Sequence, residues 1–142
     1  MNTDQIRRSA IIRAPRKHVW RALSDADEFS EWFGVALEGE FASGANVVGT
    51  MTRGGRKHPF EITIGRIEPE HLLSWRWHPH ATNSSMDYSE EPTTLVVFEL
   101  DEVHGGTRLT VEESGFDALP EPRRQEAYKA NEKGWEMQMR AI

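Results

Sequence analysis

The sequence predicts an α+β fold: a strongly curved, seven-stranded antiparallel sheet wrapped around one long C-terminal helix, with two short helices after the first strand. Three observations carry that expectation. Only residues 120–142 sustain a long helical repeat. Residues 35–114 alternate between apolar and polar with period two. Short links rich in glycine and proline separate most of the alternating runs, which makes a meander of antiparallel strands.

Taken in order, residues 5–13 alternate, with Ile6, Arg8, Ala10 and Ile12 on one face, and read as a strand. Ala14-Pro15 ends it, because the residue before a proline is pushed to extended geometry and Pro15 suits a first helical turn. Val19, Trp20, Ala22 and Leu23 then recur at helical spacing. Ser24 and Asp25 suit the cap of a second short helix over 26–32, with Phe29, Trp32 and Phe33 as its apolar side and Gly34 closing it.

Strands follow at 35–41, 46–52, 59–67, 72–78, 93–100 and 107–114. Their links are Ala42-Ser43-Gly44, Arg53-Gly54-Gly55-Arg56, Glu68-Pro69-Glu70 and His104-Gly105-Gly106. The exception is 79–92, a polar stretch with Asn83, Ser84, Ser85 and Asp87 that exceeds what a tight hairpin needs. Alternation assigns Phe60, Ile62, Ile64, Leu73, Trp75, Trp77, Val96, Phe98, Leu100, Leu109 and Val111 to a covered face. Glu61, Thr63, Arg76, Glu99, Arg108, Thr110 and Glu112 fall on a wet one. Helices on a single side of the sheet account for that division.

In the terminal stretch, Ala127, Tyr128, Asn131, Gly134, Trp135, Gln138, Met139, Ala141 and Ile142 project to one side. Glu126, Lys129, Glu132, Lys133, Glu136 and Arg140 project to the other. Pro120 and Pro122 fit a first turn, with Glu121 near the positive end of the helix dipole. Gly134 costs about 1 kcal/mol relative to alanine inside a helix, so either a second backbone or a void is expected beside it. Asn131 and Gln138 on the apolar side need hydrogen-bond partners, so this face is expected to border a cavity or water as well as a dry core.

Composition narrows the function classes. With 142 residues, 37% of them hydrophobic, the chain is long enough to bury one core, and a single domain over 1–142 is expected. The 17 Lys+Arg against 23 Asp+Glu are scattered and give a net charge of −6, which argues against a nucleic-acid partner and against docking on anionic lipid. Zero cysteines exclude disulfides, thiol catalysis and thiolate metal sites. The first ten residues carry Asp4, Arg7 and Arg8 and no apolar run, and no run approaches a membrane span. A cytoplasmic protein without membrane insertion is the expectation, as monomer or homodimer.

The block Ile12-x-Ala14-Pro15-x-x-x-Val19-Trp20-x-Ala22-Leu23-Ser24, followed by Trp32-Phe33, resembles the N-terminal signature of the SRPBCC (START-like, birch-pollen-allergen-like) superfamily. Gly65-Arg66-Ile67-Glu68-Pro69 leading to Leu72 and Trp75, then Gly106-Thr107-x-Leu109-Thr110, Gly115-Phe116 and Gly134-Trp135, resemble its branch named for activators of heat-shock-protein ATPase. The resemblance covers nearly the whole chain and implies a helix-grip fold, in which sheet and C-terminal helix enclose a hydrophobic cavity. One departure is that the helix stops at Ile142, short of the further turns many relatives carry, which leaves two expectations, a more open far end of the cavity or a shortened chain.

Such a cavity would be walled by Phe60, Ile62, Trp75, Trp77, Val96, Phe98 and Val111 of the sheet and by Tyr128, Asn131, Trp135 and Gln138 of the helix. The aromatic members either line a pocket or fill a core. Glu113 continues the inward series Leu109, Val111, and a buried carboxylate demands partners. Arg8 belongs to the inward series of the first strand, which in the resembling fold lies beside the last. Either Arg8 and Glu113 pair inside the cavity, or both reach solvent near strand ends, or a bulge flips one of them.

His78 and His80 with Asp87 nearby raise a metal site, but no third ligand follows at a recognised spacing, and a solvated pair is the alternative. No cofactor is expected. Arg53-Gly54-Gly55-Arg56 lacks the Lys-Ser/Thr and helix of a phosphate loop, and no Gly-x-Ser-x-Gly elbow occurs. Three functions remain. One is binding of a hydrophobic or aromatic small molecule or lipid, entering near 79–92 as a lid and oriented by Glu113, Arg8, Asn131 or Gln138. Another, implied by the resemblance, is a co-chaperone module that stimulates a heat-shock-protein ATPase. A third is a cyclase- or aromatase-type enzyme with Glu113, or less directly Tyr128, as its acid or base.

Overall fold

The computed structural model describes residues 4–53, 55–80 and 88–142. It holds one seven-stranded antiparallel sheet in the order β1-β7-β6-β5-β4-β3-β2. The strands are β1 (Gln5–Ile12), β2 (Val35–Glu38), β3 (Asn46–Arg53), β4 (Arg56–Glu68), β5 (Leu72–Trp77), β6 (Thr94–Val103) and β7 (Gly106–Ser114). Among the described residues the helices are α1 (Arg16–Ser24), α2 (Ala26–Phe33) and α3 (Arg123–Ala141), with a 3-10 turn at Phe116–Ala118. All three helices cover one face of the sheet, so the helix-grip arrangement expected from the resemblance is the one formed.

Local chemistry explains the first crossing from one sheet edge to the other. Pro15 stands at the N-cap of α1, one position outside the helix. The Asp25 carboxylate accepts from the Glu28 amide and caps α2. Gly34 ends α2 in the left-handed region at φ 81°, which a residue without Cβ adopts freely. Close approach decides a second glycine: a Cβ on Gly49 would stand 2.1 Å from the Ala36 carbonyl oxygen, so β2 can lie on β3 only with glycine there.

Alternation placed the core correctly. Ile62, Leu73, Trp75, Val96, Phe98 and Leu109 are fully buried, while Glu61, Thr63, Arg76, Glu99 and Arg108 are exposed. Thr110 is a correction: it is buried although it points to the outer face, where Ser9 and Glu99 flank it across the strands.

Strand and helix ends also differ from expectation. β2 stops at Glu38, because Phe41 leaves the sheet to pack on Phe29 with ring centroids 5.4 Å apart. The long helix starts at Arg123 instead of Pro120, with Pro122 as its N-cap and the Pro120 carbonyl accepting from the Arg124 amide in the turn before it. On α3, Ala127, Trp135 and Met139 are buried, but Ala141 is exposed. Gly54 of the hairpin turn lies outside the described residues.

Candidate functional site

The sheet register lines up Trp75, Val96, Glu113 and Ile6 across β5, β6, β7 and β1. Because these positions share one face, the Glu113 side chain points under α3, where it is completely shielded from solvent. Four neutral donors from three other elements converge on it. Trp77 Nε1 of β5 donates to Oε2 at 2.8 Å, and Thr94 Oγ1 of β6 donates to the same oxygen at 2.5 Å. From α3, Trp135 Nε1 donates to Oε1 at 2.8 Å, and Asn131 Nδ2 reaches Oε1 at 2.9 Å and Oε2 at 3.1 Å. A carboxylate offers about four lone-pair positions, so these five contacts exhaust its accepting capacity. Glu113 therefore ties the helix to the sheet and holds two indoles at fixed angles.

Around this group the interior is aromatic. Trp75 and Trp77 lie 4.8 Å apart between ring centroids, and Trp135 is 6.0 Å from Trp77 and 5.8 Å from Phe98. Phe33 of α2 closes the cluster at 5.6 Å from Phe60 and 6.0 Å from Trp135. These spacings are those of attractive ring pairs, and Ile62, Val96 and Val111 fill the floor between them. Much of the predicted wall is thus packed core.

One donor in this interior is left over. Trp32, Trp77 and Trp135 each donate their indole N–H at 2.8 Å. Trp75, with no solvent exposure, has an Nε1 that meets no acceptor. An N–H so enclosed costs roughly 1–3 kcal/mol.

Open space lies on one flank of α3. Nothing stands within 4 Å of the position a Cβ would take on half-buried Gly134, so the close backbone, one of the two expectations for this residue, is absent and the space beside it is open. Asn131 and Gln138, one turn away in either direction, are half-buried, and Gln138 Nε2 donates to the Phe33 carbonyl at 3.0 Å. Trp77 on the facing strand is half-buried too.

Arg8 does not pair with Glu113. The register sets Ile6 opposite Glu113 and Arg8 opposite Val111, one step of the pleat away. Arg8 instead donates to the Arg7 carbonyl at 2.9 Å and lies 3.7 Å from Glu132 on the outer flank of α3. Tyr128 occupies that flank as well, donating to the Gln5 carbonyl at 3.1 Å and meeting Phe116 edge to face.

The link between β5 and β6 is pinned at both ends. His78 Nε2 is 3.1 Å from the Glu91 carbonyl oxygen. Arg123, at the start of α3, binds the Glu91 carboxylate at 3.0 Å, donates to the Pro79 carbonyl and lies over the Tyr88 ring. Residues 81–87, with Asn83, Ser84, Ser85 and Asp87, lie outside the described residues, and with them half of the expected lid. Among the described residues no group of three His, Asp or Glu side chains is placed to hold a metal ion, and no helix is long and apolar enough to cross a membrane.

Thr94 and Arg123 were missed as site residues. Period two run backwards from Phe98 and Val96 points to Thr94, so the signal was present. Arg123 had none, because its partners lie more than 30 residues away across the fold.

Solved structures share this architecture. The protein MLL2253 of Mesorhizobium loti is 22% identical with a TM-score of 0.75, over 96% of this chain and 92% of that one. A protein of Arthrobacter aurescens is 20% identical with a TM-score of 0.78, over 99% and 85%. DynU16, from the dynemicin biosynthetic locus, is 25% identical with a TM-score of 0.71; the match covers 96% of this chain but 46% of that longer one. None of the curated proteins matches. The family model described as activator of Hsp90 ATPase homolog 1-like protein matches residues 13–142, nearly the whole of the fold built above, and the chain belongs to that family.

Proposed function

We propose that the chain binds a small hydrophobic or aromatic molecule between the Trp75–Trp77 strand and the Asn131, Gly134 and Gln138 flank of α3. Gly134 carries the reading. It weakens the helix by about 1 kcal/mol relative to alanine. No left-handed backbone and no close neighbour accounts for it. What the absent side chain leaves is room, on a helix flank whose other members are amides, next to a wall of tryptophans. Arg123 lies three turns before Gly134 on the same flank, so the pinned ends of the β5–β6 link border the same space.

In this account, apolar walls supply most of the affinity at about 25 cal/mol per Å² buried. Asn131 and Gln138 orient the ligand from the mouth, and Glu113 fixes the indoles. A full carboxyl is a poor general base, which favours binding over a cyclase-type reaction.

The test is a titration with the neutral dye N-phenyl-naphthylamine, read by energy transfer from tryptophan. Saturable binding is expected, weakened about tenfold or more (1.4 kcal/mol) by Gly134→Leu, which fills the space. No saturable signal, or a Gly134→Leu variant that binds as well as the parent, contradicts the proposal.

The family name supports a second reading, in which the chain stimulates an Hsp90 ATPase. Purified chain added to Hsp90 would raise ATP turnover on this reading; an unchanged rate with no complex on size exclusion removes it.

A further inference from the structure

Phe33 stands where the open flank of α3 meets the aromatic interior. Its ring centroid is 6.3 Å from that of Trp77 on the strand wall and 6.0 Å from that of Trp135, the neighbour of Gly134. Its carbonyl accepts from Gln138 Nε2 at 3.0 Å. Phe33 thus meets both walls of the gap in which the ligand is proposed to lie. Resting on that reading, we infer that Phe33 is a gate between the space at Gly134 and the aromatic interior, and that Gln138 latches it shut.

The rings around this gap differ in how firmly they are held. Trp77 and Trp135 each donate an indole N–H to Glu113. Phe60, Trp75 and Phe98 stand on β4, β5 and β6, strands hydrogen-bonded on both sides. Phe33 is the last residue of an eight-residue helix, whose final carbonyls find no partner within the helix itself. Gly34 follows at φ 81°, a joint where the chain turns without a Cβ in the way. Helix ends open locally at less cost than central strands do, so Phe33 is the ring that moves first. Gln138 opposes that opening from α3. A long side chain on a helix ordinarily lies back over the preceding turn, which for Gln138 is the turn of Gly134. Here the position beside Gly134 is clear, and the Gln138 amide reaches across to α2. Releasing this hydrogen bond leaves the Phe33 carbonyl to water and lets the last turn of α2 carry the ring away from Trp77 and Trp135.

Stopped-flow mixing of the full chain with N-phenyl-naphthylamine, read by energy transfer from tryptophan, tests this. Gln138→Met keeps the length of the side chain and removes its N–H. We expect it to raise the association rate constant about fivefold, which corresponds to about 1 kcal/mol, the effect of one hydrogen bond lost from the closed gate. Phe33→Leu, which removes the ring, should raise it at least as much; should that variant fail to fold, Gln138→Met alone decides. If Gln138 only touches the ligand, Gln138→Met changes the dissociation rate constant and leaves association as in the parent. That result overturns the gate and leaves small-molecule binding standing. If neither rate constant changes, Gln138 is only a cap on the end of α2, and the gate is overturned as well. No saturable signal from the parent chain overturns both the gate and the binding reading.

Discussion

The Asn131 amide nitrogen spans both oxygens of Glu113, at 2.9 and 3.1 Å, and so joins the middle of α3 to the end of β7. A contact of this kind, to a carboxyl with no solvent exposure, is worth more than a surface hydrogen bond because the carboxyl has no water to turn to.

Glu113→Gln should destabilise the fold by about 3 kcal/mol in urea denaturation, since an amide NH₂ then faces donors it cannot satisfy. Asn131→Ala should cost less, about 1–2 kcal/mol, because the other three donors remain. The double variant should fall short of the sum, as residues in one network do. Additive losses would mean the two side chains act independently.

Gly134→Ala and Gly49→Ala should move stability in opposite directions. At Gly134 the added methyl meets open space, and a gain of about 0.5–1 kcal/mol is expected from helix propensity. At Gly49 the methyl would overlap the Ala36 carbonyl, and a loss of at least about 2 kcal/mol is expected. Thermal or urea melts of the two variants decide it. A destabilised Gly134→Ala would show that something packs where the structure leaves room.

Arg123 and Glu91 should matter more than their count of charges suggests. Their side chains are 11% and 16% exposed, and Glu91→Gln leaves a shielded guanidinium without its countercharge. A loss of about 2–3 kcal/mol is expected, with faster amide exchange at 88–91. By contrast Arg7→Ala, which breaks a pair exposed at 65% and 34%, should cost under about 1 kcal/mol.

The strands were legible because alternation is a geometric rule: Leu109, Val111 and Glu113 had to share a face, and that alone put a carboxyl in the interior. Seeing a Trp75–Trp77 pair on the inner face followed from the same rule. Partner choice did not, because it depends on register across strands distant in sequence. One pleat step separates Arg8 from Glu113, and the α3 surface offers Arg8 the nearer Glu132. The start of α3 was misplaced because two prolines suit either a first turn or the turn before it, and the Pro120 carbonyl took the second role. Whether the aromatic residues formed a wall or a filling was open in the sequence; ring spacings of 4.8–6.3 Å among Trp75, Trp77, Phe98 and Trp135 make most of them filling. The open space lies beside Gly134 on the flank of α3, where the glycine and the amides Asn131 and Gln138 had hinted at it.

Crystals pressurised with xenon probe that space directly, since xenon settles in apolar voids and leaves well-packed interiors empty. The account predicts a xenon site against Gly134, between α3 and the Trp77 strand, that is lost in Gly134→Leu. A crystal of the parent chain with side chains closed over Gly134 and no xenon beside it would contradict the account.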